Sequence, residues 1–204
     1  MAAQSNLKNM ALCLTAVCLI CAAILGCVYA ITCEPIKAAS QKALVASIAQ
    51  VLPEGGEISE AMEMEGYQYY TQTVDGKPVA YAVKSTTTGF GGALTLMVGV
   101  LADGTVYNTS VLAHSETPGL GAKCQDAQSA FRKQFEGFPA DKSLVVKKDG
   151  GDVDAITAST ITSRAFTLAV SNAVNVVKLI NGDEMGSEAA AEDTENNMGG
   201  QTDE

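Results

Sequence analysis

A single histidine, His114, serves the whole chain, the first 33 residues carry one charge, Lys8, and residues 182–204 carry no base. Each shortage excludes something. One histidine cannot assemble an imidazole metal site, and no nucleophile, base and orienting group fall together as a hydrolytic set. Residues 34–181 hold 12 basic and 15 acidic side chains, too even a balance to leave a basic footprint for nucleic acid. Most of the net charge of −10 comes from the eight acids of residues 182–204. Cysteine is scarce where it could crosslink, because Cys13, Cys18, Cys21, Cys27 and Cys33 lie in or beside the uncharged N-terminal stretch and only Cys124 lies far from it. The remaining chain must therefore rely on a hydrophobic core and not on a disulfide framework. Cys18 and Cys21 form a C-x-x-C, but without a second pair or a histidine it reads as small polarizable packing.

Long uncharged sequence is present at one place. From Asn9 to Cys33 no residue is charged, and Ala11 to Ile31 is mostly Ala, Leu, Ile, Val and Cys. At about 1.5 Å per residue that run spans about 32 Å, enough for a hydrocarbon core. A transmembrane helix is expected over residues 10–32. A cleaved signal peptide, with Val28-Tyr29-Ala30 as the cut, or lipidation at Gly26-Cys27, is the competing reading. The run exceeds a usual signal core and only Lys8 precedes it, which favours an uncleaved anchor. Lys8 before the span and Glu34 after it place residues 1–9 in the cytoplasm and residues 33–181 outside. Residues 182–204, rich in Ala, Glu, Asn and Gly, are expected to form an acidic disordered tail.

After the span, Pro35 suits a first helical turn, and apolar residues keep helical spacing from Ile36 to Leu52 until Pro53-Glu54-Gly55-Gly56. This helix should continue the membrane span or stand on it. Residues 67–74 and 77–84 alternate in polarity around Asp75-Gly76, and residues 93–101 and 105–112 do so around Asp103-Gly104; both are hairpin signals. Shorter strands are expected at Leu144 to Lys147 and near Val153. An apolar-periodic helix over 161–181 stops at Asn181-Gly182. The fold class is α+β: an antiparallel sheet built from β-hairpins with flanking helices, preceded by one N-terminal transmembrane helix.

Two glycine-rich loops interrupt this pattern, Thr86 to Gly92 and His114 to Gly121. They either make turns or let a backbone come close to a planar ligand. Ahead of the last helix, Asp154-Ala-Ile-Thr-Ala-Ser-Thr-Ile-Thr-Ser-Arg164 concentrates Thr157, Ser159, Thr160 and Thr162. Hydroxyls there can cap the orphan N–H groups of the first turn, worth about 1 kcal/mol. They can equally mark an anion site, since a helix N-terminus favours a phosphate, even one esterified to threonine.

The order of these parts resembles the FMN-binding domain family. The resemblance is carried by the N-terminal span, the Gly89-Phe90-Gly91-Gly92 loop, Glu116-Thr117-Pro118-Gly119-Leu120-Gly121, and the Asp-x-x-Thr-small-small-Thr stretch from Asp154 to Thr160. Within the family it is most similar to the G subunits of Rnf-type ion-translocating electron transport complexes, with the C subunit of the sodium-translocating NADH:quinone reductase as a longer relative. The resemblance implies FMN joined by a phosphodiester to Thr160, delivered from FAD by a separate magnesium-dependent flavin transferase. It implies that Asp154, Thr157 and Ser159 complete the attachment motif, with Ser159 and Thr162 as alternative acceptors, and that Glu116, Thr117, Gly119, Leu120 and Gly121 line the flavin. Where the family usually has Gly-Ala before the acceptor, this chain has Ala158-Ser159. Arg164, on the first turn, is a candidate to contact the phosphate. The function implied is that of an electron-transfer subunit, rather than a complete enzyme, working with other membrane subunits of the complex between ferredoxin and NAD. Its place would be the bacterial cytoplasmic (inner) membrane, single-pass, in contact with lipid, its domain on the periplasmic side. An anchored scaffold or binding module of the same fold without flavin is the alternative.

Overall fold

The computed structural model describes residues 7–182. The expected tail lies outside them. The described chain divides into two compact units, residues 7–45 and residues 46–182.

The first helix, α1, runs Leu7–Val51 with Pro35 inside it. The chain thus passes through Pro35 without ending, because a proline removes one hydrogen bond while the Ala- and Leu-rich sequence on both sides keeps the remaining turns helical. Along residues 8–45 nearly every side chain is exposed, including Leu12, Leu19, Ile20, Leu25 and Ile31. Among the described residues one helix is long and apolar enough to cross a membrane, and it is this one.

In the second unit six strands form one antiparallel sheet: β1 (Glu57–Ile58), β2 (Met62–Met64), β3 (Tyr67–Val74), β4 (Lys77–Thr88), β5 (Ala93–Leu101) and β6 (Val106–Ala113). Its order is β1-β3-β4-β5-β6, with β2 also paired to β3. Both expected hairpins are present. At the first, Asp75 and Gly76 both take positive φ, 52° and 75°, the pairing a tight two-residue hairpin turn requires. Strands β1 and β2 are two and three residues long and mostly exposed, too short to leave a periodic trace in the sequence.

Strand β5 is buried on both faces. Leu94, Leu96, Val98 and Val100 point toward α3 (Thr160–Ile180), which presents Phe166, Ala169, Val170, Ala173, Val174 and Val177 to the same core. On the other face Gly99 lies against the carbonyl of Val51, where any Cβ would collide. Phe131, in the short helix α2 (Ala130–Lys133), meets Phe166 edge-on at 5.1 Å, and Phe135 packs on Phe166 at 5.0 Å. The expected strands near 144–147 and 153 are reduced to one parallel bridge, Val146 to Val153, with a 3-10 turn over Lys147–Asp149 between them. A parallel pair cannot close through a tight hairpin, so the segment loops instead.

Candidate functional site

Helix α3 begins where the hydroxyls cluster, with Thr160 as its first residue and Ser159 as N-cap. Ser159 makes no capping bond with its side chain. The capping reading of the cluster is therefore unfilled, and the first N–H groups of the helix have no side-chain acceptor. The other hydroxyls are committed differently. Ser163 Oγ donates to the Ser159 carbonyl at 2.8 Å and accepts the Ile156 N–H at 2.8 Å, which folds the approach loop onto the helix. Thr162 Oγ1 donates to Glu116 Oε2 at 2.7 Å. Thr160 Oγ1 accepts from Lys148 Nζ at 3.1 Å. Ala158, just before the cap, holds φ at 62°, in the left-handed region that favours glycine.

Beside this helix start is a cavity of about 360 Å³, lined by Phe90, Glu116, Thr117, Leu120, Gly121 and residues 158–162. Its character is split. Phe90, Leu120 and Ile161 stand on its rim with large exposed apolar surfaces, at 68%, 44% and 51% exposure. Thr160 and the uncapped helix end supply the polar part. An apolar rim for a planar ring and an electropositive helix end for a phosphate are the two features an FMN needs, so the residues present fit that group.

Glu116 is the hub. Its side chain is 5% exposed, and besides the Thr162 hydroxyl it accepts the Gly91 N–H at 3.4 Å. It thereby joins the Gly89–Gly92 turn, its own loop and the first turn of α3. The glycines around it are there for close packing of protein on protein: a Cβ at Gly89 would strike Glu116 Oε1, and one at Gly121 would lie 2.7 Å from Thr162 Oγ1. His114 supports the same loop, accepting the Glu116 N–H at Nδ1 (3.1 Å) while Nε2 meets Gln125 Oε1 at 2.8 Å. With Nδ1 an acceptor, the ring's proton sits on Nε2. Burial, and next the Glu116 carboxylate, push the Cys124 thiol up to about 11, so it stays protonated and unreactive.

The structure brings Glu116, Thr117, Leu120, Gly121, Ser159 and Thr160 to one cavity. Asp154, Thr157 and Gly119 do not line it. Asp154 is exposed and paired with Lys147 at 2.8 Å. Arg164, the candidate phosphate contact, instead donates two bonds to Asp149, at 2.7 and 2.6 Å. Those bonds from Arg164 hold the Asp149 carboxyl below its ordinary range. Phe90, Ile161 and Lys148 were not singled out from sequence; Phe90 alone had a signal, as the one large side chain in a glycine loop.

Residues 89–175 match the FMN-binding domain family. Over 174 residues the chain is 36% identical to the G subunit of the ion-translocating oxidoreductase complex of Shewanella baltica, covering 76% of this chain and 82% of that one. Over 172 residues it is 36% identical to the G subunit of the proton-translocating ferredoxin:NAD(+) oxidoreductase complex of Clostridium ljungdahlii, covering 83% and 90%. The crystal structure of the C subunit of the Na(+)-translocating NADH-quinone reductase from Parabacteroides distasonis aligns with 55% of this chain and 61% of that one, at 28% identity and a TM-score of 0.43. The chain belongs to the family of G subunits of Rnf-type ion-translocating oxidoreductase complexes and carries an FMN-binding domain.

Proposed function

We propose that this protein is a membrane-anchored electron-transfer subunit of an Rnf-type ion-translocating complex, carrying FMN as a phosphodiester on Thr160. The observation that carries the reading is the uncapped start of α3, with the Thr160 hydroxyl at the polar end of an apolar-rimmed cavity. Of the hydroxyls lining the cavity Thr162 is bound to Glu116, while Ser159 and Thr160 are not held by the fold; Thr160 is taken as the acceptor because it stands last in the motif that opens at Asp154 and is the first residue of α3. In attachment the Thr160 oxygen forms the new bond to the flavin-side phosphorus of FAD as the bond to the AMP half breaks. AMP leaves and the hydroxyl proton passes to the flavin transferase or to solvent.

Bound FMN supplies one- and two-electron transfer, and the protein's part is to hold the ring and limit water. Phe90, Leu120 and Ile161 offer apolar surface for the ring, and Glu116 fixes the loops that present it. The relatives named above are subunits of multi-subunit complexes, which supports exchange of electrons with neighbouring subunits. Residues 10–32 would cross the membrane, with Lys8 on the cytoplasmic side and the domain outside. The exposed apolar side chains of α1 support this, since lipid covers at little cost what water would not.

Replacing Thr160 with valine keeps the shape and removes the oxygen. Co-expressed with a flavin transferase, wild-type protein should give a fluorescent band on a denaturing gel and a mass increased by one FMN. Thr160→Val should remain folded and give neither. An FMN adduct on Thr160→Val would move the acceptor to Ser159 or another hydroxyl.

A further inference from the structure

Three cations gather around the start of α3, and two are already neutralised. Lys147 is paired with Asp154 and Arg164 is clamped on Asp149. Lys148 makes no salt bridge among the described residues, though its charge adds to that of Arg164 in lowering the Asp149 carboxyl; its Nζ donates to Thr160 Oγ1 at 3.1 Å. We propose that Lys148 is the cation that binds the phosphodiester on Thr160, a role that rests on the flavin reading above.

The placement is built. The 3-10 turn Lys147–Asp149 is closed by the Asp149 N–H to the Val146 carbonyl at 2.8 Å and by Gly150 at φ 91°. Arg164, itself on the first turn of α3, grips Asp149 with two bonds and so fixes this turn against the helix start. The residue between Lys147 and Asp149 is thereby carried to Thr160. For a neutral hydroxyl alone the arrangement gains little, because a long exposed lysine loses about as much rotamer freedom as one such bond returns.

With an anion on that oxygen the balance changes. A phosphodiester carries a full negative charge, whereas a helix N-terminus offers roughly half a positive one that fades within the first turn. The buried Glu116 lines the same cavity and brings no positive charge to it. Lys148 supplies the missing cation at the oxygen through which the phosphate is attached, and bonds between ionised partners are roughly twice as strong as neutral ones. Lys148 donates to the Thr160 oxygen, so its role is to stabilise charge there and not to take the Thr160 proton.

The test uses the full chain in detergent with FAD, magnesium ion and flavin transferase, and follows the initial rate of FMN adduct formation by intact mass. Lys148→Met should slow attachment about tenfold or more, the scale of one lost charge-assisted bond. Lys148→Arg, which keeps the charge, should restore most of the rate, and Lys147→Met should leave it unchanged. Added salt should slow the wild-type protein more than Lys148→Met. Once loaded, Lys148→Met should show a displaced phosphorus NMR resonance for the diester while Lys147→Met does not, a readout independent of the transferase. Melting should be the same in all three variants, because Arg164 and Asp149 hold the turn. Attachment by Lys148→Met at the wild-type rate with an unmoved resonance overturns the proposal, as does an equal loss in Lys147→Met. Thr160→Val, run alongside, separates the two readings: an adduct there removes the acceptor itself, whereas no adduct there with full-rate Lys148→Met removes only the role of Lys148.

Discussion

Residues 7–45 and residues 46–182 depart from ordinary globular design in opposite senses. The first exposes apolar side chains along a helix with hardly a buried residue. The second buries a carboxylate, Glu116, and the hydroxyls of Ser159, Thr162 and Ser163 beside a cavity. Each departure costs free energy in isolation, one by wetting hydrocarbon and the other by desolvating polar groups. The proposed partners fit these departures: lipid over the apolar helix, and a flavin at the hydroxyls of the helix start, with Glu116 itself satisfied by the Thr162 hydroxyl and the Gly91 N–H. The lesson is that the position of the misplaced polarity marks the partner's chemistry.

The comparison breaks most readily at the helix. Ile20→Arg places a charge near the middle of residues 10–32, where insertion costs about 3 kcal/mol. The variant should be depleted from membranes under alkaline extraction, while flavin attachment by the domain proceeds. Retention at wild-type level would mean that something other than lipid covers α1. A buried charge sharpens the other side. Glu116→Leu keeps a similar bulk but takes the acceptor from both the Thr162 hydroxyl and the Gly91 N–H, a loss of about 1–3 kcal/mol. Urea denaturation should show that loss, and Glu34→Gln, exposed on α1, should show none.

The smallest effect concerns the backbone at Ala158. An L-residue in the left-handed region is strained by about 1–2 kcal/mol, and glycine returns part of that gain as chain entropy, about 0.5–1 kcal/mol. Ala158→Gly should therefore raise stability by under about 1 kcal/mol, read as a melting point a few degrees higher. An unchanged or lower melting point would show that Ala158 is held without strain.

What could be read in the sequence was local. Asp75-Gly76 and Asp103-Gly104 state their hairpins within four residues, and the hydroxyl run at 157–162 states a helix start within six. Pairings between distant residues left no such mark. Glu116 meets Thr162 across 46 positions, and nothing near either residue announces it. Lys148 and Lys147 are indistinguishable by sequence, yet a 3-10 turn sends one to Thr160 and the other to Asp154. Arg164 looked available because it opens a helix; its carboxylate partner lies 15 residues back, in a loop. Residues carried over from the attachment motif divide in the same way: Ser159 and Thr160 reach the cavity with the helix, while Asp154 turns outward to Lys147.

One feature of the compact unit bears on how it can be handled in solution. Ser47, Ile48, Val51 and Leu52 are buried, and Gln50 accepts the Asn108 side-chain N–H at its carbonyl (3.2 Å) and the Ser110 hydroxyl at its own side chain (3.0 Å). The last turns of α1 are thus a cover for β5 and β6, seated in the groove that Gly99 leaves open. A soluble fragment cut at Pro53, the first break that the sequence offers after the helix, would lose that cover and wet the back of the central strand. One that starts by Ala46 keeps it.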